Sequence, residues 1–172
     1  MKRSATIGSI FLIIAALLLS LPALIQNREQ KLEVYRAFIQ AYNEGHPTNL
    51  SNVAHRFDAD STDVLICAPS ALITTAFTRH FRSLDFTQGD FPDLSVRVVD
   101  PVVQRALLHA NDPSVTIAEG TDIDEAVSAG FDAGLLQVSD IGFDLAGQRA
   151  MFTFSFSCGT LCGHSGTAMF ER

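Results

Sequence analysis

The strongest constraint on the fold is the alternation in Arg149-Ala150-Met151-Phe152-Thr153-Phe154-Ser155-Phe156-Ser157-Cys158. Phe152, Phe154, Phe156 and Cys158 occupy every second position, with Thr153, Ser155 and Ser157 between them. Side chains on a strand point to opposite faces in turn, so this pattern predicts a strand with one face that must be covered. Cys158 also opens Cys158-Gly159-Thr160-Leu161-Cys162-Gly163-His164-Ser165-Gly166, where two of the three cysteines lie beside a histidine and three glycines. Gly163 to Phe170 suits a returning strand. Gly159 and Gly163 supply freedom for positive φ, which predicts a hairpin closed by Gly-Thr-Leu with a cysteine on each side of the bend. A disulfide there requires Cα atoms roughly 4.4 to 6.8 Å apart.

The N-terminus constrains location. Lys2 and Arg3 precede an almost wholly apolar run from Ile7 through Leu12 and Leu18 to Leu21, and no charge returns until Arg28. Such a run is an export signal or a membrane anchor with its N-terminus in the cytoplasm. Residues 1–26 are therefore expected to be a signal peptide or transmembrane segment, and 27–172 a single domain outside the cytoplasm, in the cell envelope, periplasmic or secreted if cleaved. No clean Ala-x-Ala site is present, and the uncharged span from Ser4 to Asn27 is long enough to cross a bilayer, which takes about 20 residues. The three cysteines then lie where disulfides persist, and their odd number leaves at least one thiol free, bonded to another molecule or held by a metal. The formal charge is −7. Setting Lys2 and Arg3 aside leaves about −9, which argues against nucleic acid as a partner and leaves the apolar segment as the contact with membrane.

With 47% hydrophobic residues over 172 positions, the chain can bury a core. Asn27 to Asn43 reads as an amphipathic helix with Leu32, Tyr35, Phe38, Ile39 and Tyr42 on one face. From Gly45 to Asp63 the chain is polar and irregular. Asp58, Asp60 and Thr62 imitate the start of a calcium loop, but Asp63 stands where glycine is needed and Pro69 where a bidentate Glu belongs, so a solvated acidic loop is expected. Val64 to Cys67 reads as a buried strand, and Ser70 opens a helix to about Leu84 that carries His80. Ser95 to Val99 suits a strand. Asp100-Pro101 starts a helix that runs to about His109 and stops before Asn111-Asp112-Pro113. Asp122 with Asp124 and Glu125 opens a short helix over Ile123 to Ala129. Leu135 to Phe143 reads as a strand, followed by a turn at Asp144-Leu145-Ala146-Gly147. The expected class is α+β, with helices packed on a C-terminal antiparallel β-meander. The chain stops directly after a strand at Phe170-Glu171-Arg172, as truncation at an edge strand would leave it.

Val138-Ser139-Asp140-Ile141-Gly142-Phe143, then Arg149-Ala150, then Cys158-Gly159-x-Leu161-Cys162-Gly163 resembles the C-terminal third of a loose group of uncharacterised bacterial exported proteins. The resemblance covers roughly 35 residues. It implies the meander and carries no activity. Members commonly continue with a tryptophan-bearing strand that this chain lacks.

Four functional readings follow. The first is a Cys158–Cys162 disulfide clamping the last hairpin. The second is metal handling, with Cys158, Cys162 and His164 offering two soft sulfurs and an imidazole to Cu(I) or Zn(II). The third is a thiol enzyme with Cys162 as nucleophile beside His164, for which no orienting third group can be named. Gly-x-Ser-x-Gly, His-Glu-x-x-His and phosphate-cradling Gly-Lys motifs are all missing, so no catalytic residue and no cofactor is assigned. The fourth requires the fewest assumptions: a non-enzymatic envelope domain that binds an unidentified protein or small molecule, with thirteen phenylalanines lining a pocket or filling the core.

Overall fold

A computed structural model describes residues 28–43, 47–55, 84–143 and 148–171. The apolar segment through Ile7, Leu12, Leu18 and Leu21, the acidic loop at Asp58 to Asp63, Cys67 and the helix opened by Ser70 lie outside the described residues. Among the described residues, no helix is long and apolar enough to cross a membrane. The chain divides into two compact units, residues 1–37 and 38–172. In the first, residues 28–37 are helical, Leu32 and Tyr35 are buried, and Glu29 pairs with Arg28 at 4.0 Å and Arg36 at 3.7 Å. Ion pairs this exposed contribute about 0.2 to 1 kcal/mol at most.

The helix over residues 28–43 is α1, and its last turns, from Phe38, belong to the second unit. There follow β1 (Thr48–Ser51), β2 (Val96–Val99), α2 (Pro101–Ala110), α3 (Pro113–Ala118), α4 (Ile123–Ala133), β3 (Leu135–Val138), β4 (Gly142–Phe143), β5 (Arg149–Gly159) and β6 (Cys162–Glu171). The class is α+β, as expected. The C-terminal strands form the expected antiparallel meander, with β3, β4 and β6 all antiparallel to β5, but the sheet as a whole is mixed, because β1 runs parallel to both β2 and β3. Thr48-Asn49-Leu50-Ser51 holds a single apolar residue and reads as loop. It is a strand because β2 and β3 satisfy both its edges, and because the Asn49 amide donates to the Asp132 and Gly134 carbonyls, each at 2.9 Å.

β5 is the longest strand described. β6 pairs along one edge of it, and β3 and β4 share the other. The strand expected from Leu135 to Phe143 is interrupted at Ser139-Asp140-Ile141. There the Asp140 carboxylate accepts from the Ile141 N–H at 2.9 Å, and the Asp140 N–H turns away to the His55 carbonyl at 2.7 Å. At the other end of the sheet, Gln88 covers the backbone of β2, donating to the Val96 carbonyl at 2.8 Å and accepting from the Val98 N–H at 3.0 Å.

Register aligns the apolar positions. Leu50 pairs with Leu136, Leu136 with Phe156, and Val138 with Phe154, so one face of the sheet is apolar across three strands. Phe38 lies over that face, edge-on to Phe152 with centroids 5.0 Å apart and tilted against Phe154 at 5.0 Å, and Phe170 stacks on Phe152 from β6. The helix expected to end near Ala129 continues to Ala133 through Gly130. That glycine marks close packing, not a stop: a Cβ there would sit 2.5 Å from the Pro113 ring and 2.9 Å from the Cys158 carbonyl.

Phe152 is fully buried, whereas Ser155 on the opposite face is exposed. Phe152→Ala is expected to destabilise the domain by about 3 to 5 kcal/mol, and Ser155→Ala to stay within about 0.5 kcal/mol, in urea unfolding. Equal midpoints for the two variants would contradict this account of the core.

Candidate ligand cavity and the clasped hairpin beside it

Two features meet at the β5–β6 hairpin, and the first is the clasp at its tip. Gly159 pairs with Cys162 across a loop of Thr160 and Leu161, and Cys158 and Cys162 are joined by a disulfide with Cα atoms 5.0 Å apart. Gly159 has φ +139°, as the bend required. Gly163 does not have positive φ, contrary to expectation. Its small size serves a close approach instead, since a Cβ there would lie 2.7 Å from the Phe156 carbonyl oxygen.

Asp112 holds the same tip from outside. It caps α3, and its Oδ1 accepts from the Ser114 N–H at 2.9 Å and the Ser114 hydroxyl at 2.7 Å. Its Oδ2 accepts from the Thr160 N–H at 2.7 Å and from the Thr160 hydroxyl. The residue is 2% exposed. The Thr160 hydroxyl first, then the Ser114 hydroxyl, with both backbone N–H groups adding, hold this carboxyl far below the ordinary carboxylate range, against burial, which pushes it up. Gly159 is needed here a second time, because a Cβ would meet Asp112 Oδ1 at 2.9 Å and the Pro113 ring at 2.8 Å. Sequence reasoning passed over Asp112, although Asp112-Pro113 repeats the helix-start signature read correctly at Asp100-Pro101.

The second feature is a half-open cavity of about 540 Å³. Its aromatic wall comes from three directions: Tyr42 near the end of α1, Phe131 on α4, and Phe156 with His164 facing each other across β5 and β6. Phe131 stacks on Phe156 at 5.9 Å and 23°, and Tyr42 stacks on His164 at 5.7 Å and 29°. The Tyr42 hydroxyl and His164 Nε2 are hydrogen-bonded at 2.9 Å. Burial pushes the Tyr42 hydroxyl up to about 12, so it stays protonated and donates to a bare Nε2 or accepts from an N–H there. Asn43, Asn49 and Asp132 supply the polar lining. Asn43 is 7% exposed and its Oδ1, out of reach of water, has no hydrogen-bond partner among the described residues. A buried acceptor without a partner costs about 1 to 3 kcal/mol.

Of the residues singled out by sequence, Cys158 and Cys162 are bonded to each other, so both sulfurs are taken in this state. His164 turns to Tyr42, and no group of three or more His, Cys, Asp or Glu among the described residues is arranged to hold a metal. A Cys158, Cys162 and His164 metal set, or a Cys162 nucleophile, would first require reduction of the disulfide. Tyr42, Asn43, Asn49, Phe131 and Asp132 were not singled out as a group. The only available signal was aromatic excess on elements that come together in space. No protein-family model, curated protein or solved structure matches the chain.

The alkylation pattern follows from the clasp. Oxidised protein, denatured, is expected to show a mass short by two hydrogens and a single reactive thiol at Cys67, and three reactive thiols would remove the disulfide. Asp112 sets an acid limit. A carboxyl whose folded value is depressed stabilises the fold fully above its ordinary value, near pH 4, and that contribution drains away as pH falls below it. Asp112→Asn is therefore expected to be less stable at pH 7 and to lose stability less steeply than wild type from about pH 4 down to pH 2. Parallel pH profiles for the two proteins in thermal unfolding would refute this role.

Proposed function

We propose that this chain is a non-enzymatic binding domain displayed outside the cytoplasm, and that the aromatic cavity walled by Tyr42, Phe131, Phe156 and His164 is its ligand site. The apolar N-terminal run supports the location. A half-open cavity of about 540 Å³ with ring faces and a few buried amides carries the binding reading, since small-molecule sites have this size and this balance of lining. The disulfide and the Asp112 contacts belong to the scaffold. They fix the tip of the hairpin whose shafts carry Phe156 and His164, and so hold one wall of the cavity in place.

Indole serves as a probe. Titrated into isotope-labelled protein, it is expected to shift resonances of Tyr42, Phe131, Phe156 and His164 together and to saturate. Phe131→Ala removes a half-exposed ring without opening the core, and is expected to weaken indole about threefold to tenfold. Shifts that never saturate, or that scatter over the surface, would count against the site.

A further inference from the structure

Resting on the reading of the cavity as a ligand site, we infer that its occupant is a protonated amine carried on an aromatic or apolar body. The polar groups facing the cavity leave acceptors over. Asn49 is 6% exposed and spends both amide hydrogens on the Asp132 and Gly134 carbonyls at 2.9 Å, so the group it has left is its Oδ1, for which no donor is found among the described residues. Asp132 lines the same cavity, and its exposed carboxylate makes no ion pair or side-chain hydrogen bond among the described residues. Among the described residues, no lysine or arginine lines the site to balance it. The Nε2 of His164, also on the wall, is occupied by Tyr42.

Three ligand classes can be compared on those groups. An anion would face Asp132 with no cation to offset it. A neutral alcohol could donate to Asn49 but would leave the carboxylate unanswered. A protonated amine donates to Asn49 Oδ1, pairs with Asp132, and lies against the negative faces of Tyr42, Phe131 and Phe156, which attract a cation. Phe131 is 55% exposed, so its outer face is open to an incoming ring or alkyl body. The chain's net charge of −7 draws cations to the surface as well.

The test compares phenethylamine, 2-phenylethanol and phenylacetate, which share a ring and differ in charge. Binding is measured on the oxidised protein at about pH 8, above the ordinary imidazole range and below that of an alkylamine. The amine is expected to bind at least about tenfold more tightly than the alcohol, and the carboxylate more weakly than either. Asp132→Asn changes an exposed side chain without changing its shape. It is expected to reduce the amine to the level of the alcohol. Should indole saturate the cavity while the amine and alcohol bind equally, or should Asp132→Asn leave the preference intact, the amine inference falls and the binding site stands. Should neither indole nor any of the three bind, the site itself falls, and the inference with it.

Discussion

Keeping water from Phe152, Phe154 and Phe156 determines how the described elements around β5 are arranged. The three rings stand on one face of β5, and every element beside that strand helps to seal them. Leu136 and Val138 lie alongside on β3, Phe170 stacks from β6, and Phe38 comes down on top. Burying an aromatic side chain contributes about 1.5 to 3 kcal/mol, far more than the exposed Arg149–Glu171 pair at 3.0 Å that joins the open ends of the same two strands. The cover is not uniform. It is complete at Phe152, and at Phe156 it thins to a stacked Phe131 with Tyr42 and His164 tilted against the ring, and there the cavity opens. The candidate site is thus the unfinished end of the core, lined by the same kind of side chain.

The hairpin tip shows how a short disulfide and a buried carboxylate divide one task. Closing a loop between residues four apart removes little freedom from the unfolded chain, so this disulfide adds stability at or below the low end of the usual range, about 2 kcal/mol. Asp112 anchors the tip to the start of α3, a connection 48 residues long in sequence. The disulfide ties β5 to β6 at the register shift beside the turn, where Cys158 lies between the paired Ser157 and Gly159, and the carboxylate fixes the turn against the start of α3. Gly159 is the residue on which both depend, because it takes the positive φ and leaves room for Asp112 and Pro113.

Much of the architecture was legible locally. Period-two alternation announced β5. Asp100-Pro101 and Asp122 announced the starts of α2 and α4, where both carboxylates do cap. The two cysteines around a glycine-containing bend announced the clasp. These signals are short-range: a side chain alternating on a strand, or a carboxylate reaching an N–H two residues on, needs nothing from the rest of the molecule.

What the sequence by itself determined, then, is which segments are strands and helices near β5, and that Cys158 and Cys162 flank one bend. Only tertiary structure decided that Thr48–Ser51 is a strand, since a segment with one apolar residue becomes one through partners on both edges. Only tertiary structure made Gly130 a packing contact, and set Tyr42 against His164, 122 residues away. It also brought Asn43, Asn49 and Asp132 around one space. Local pattern records which face of an element is apolar. It does not record which other face will meet it, and a cavity exists only where such faces meet imperfectly.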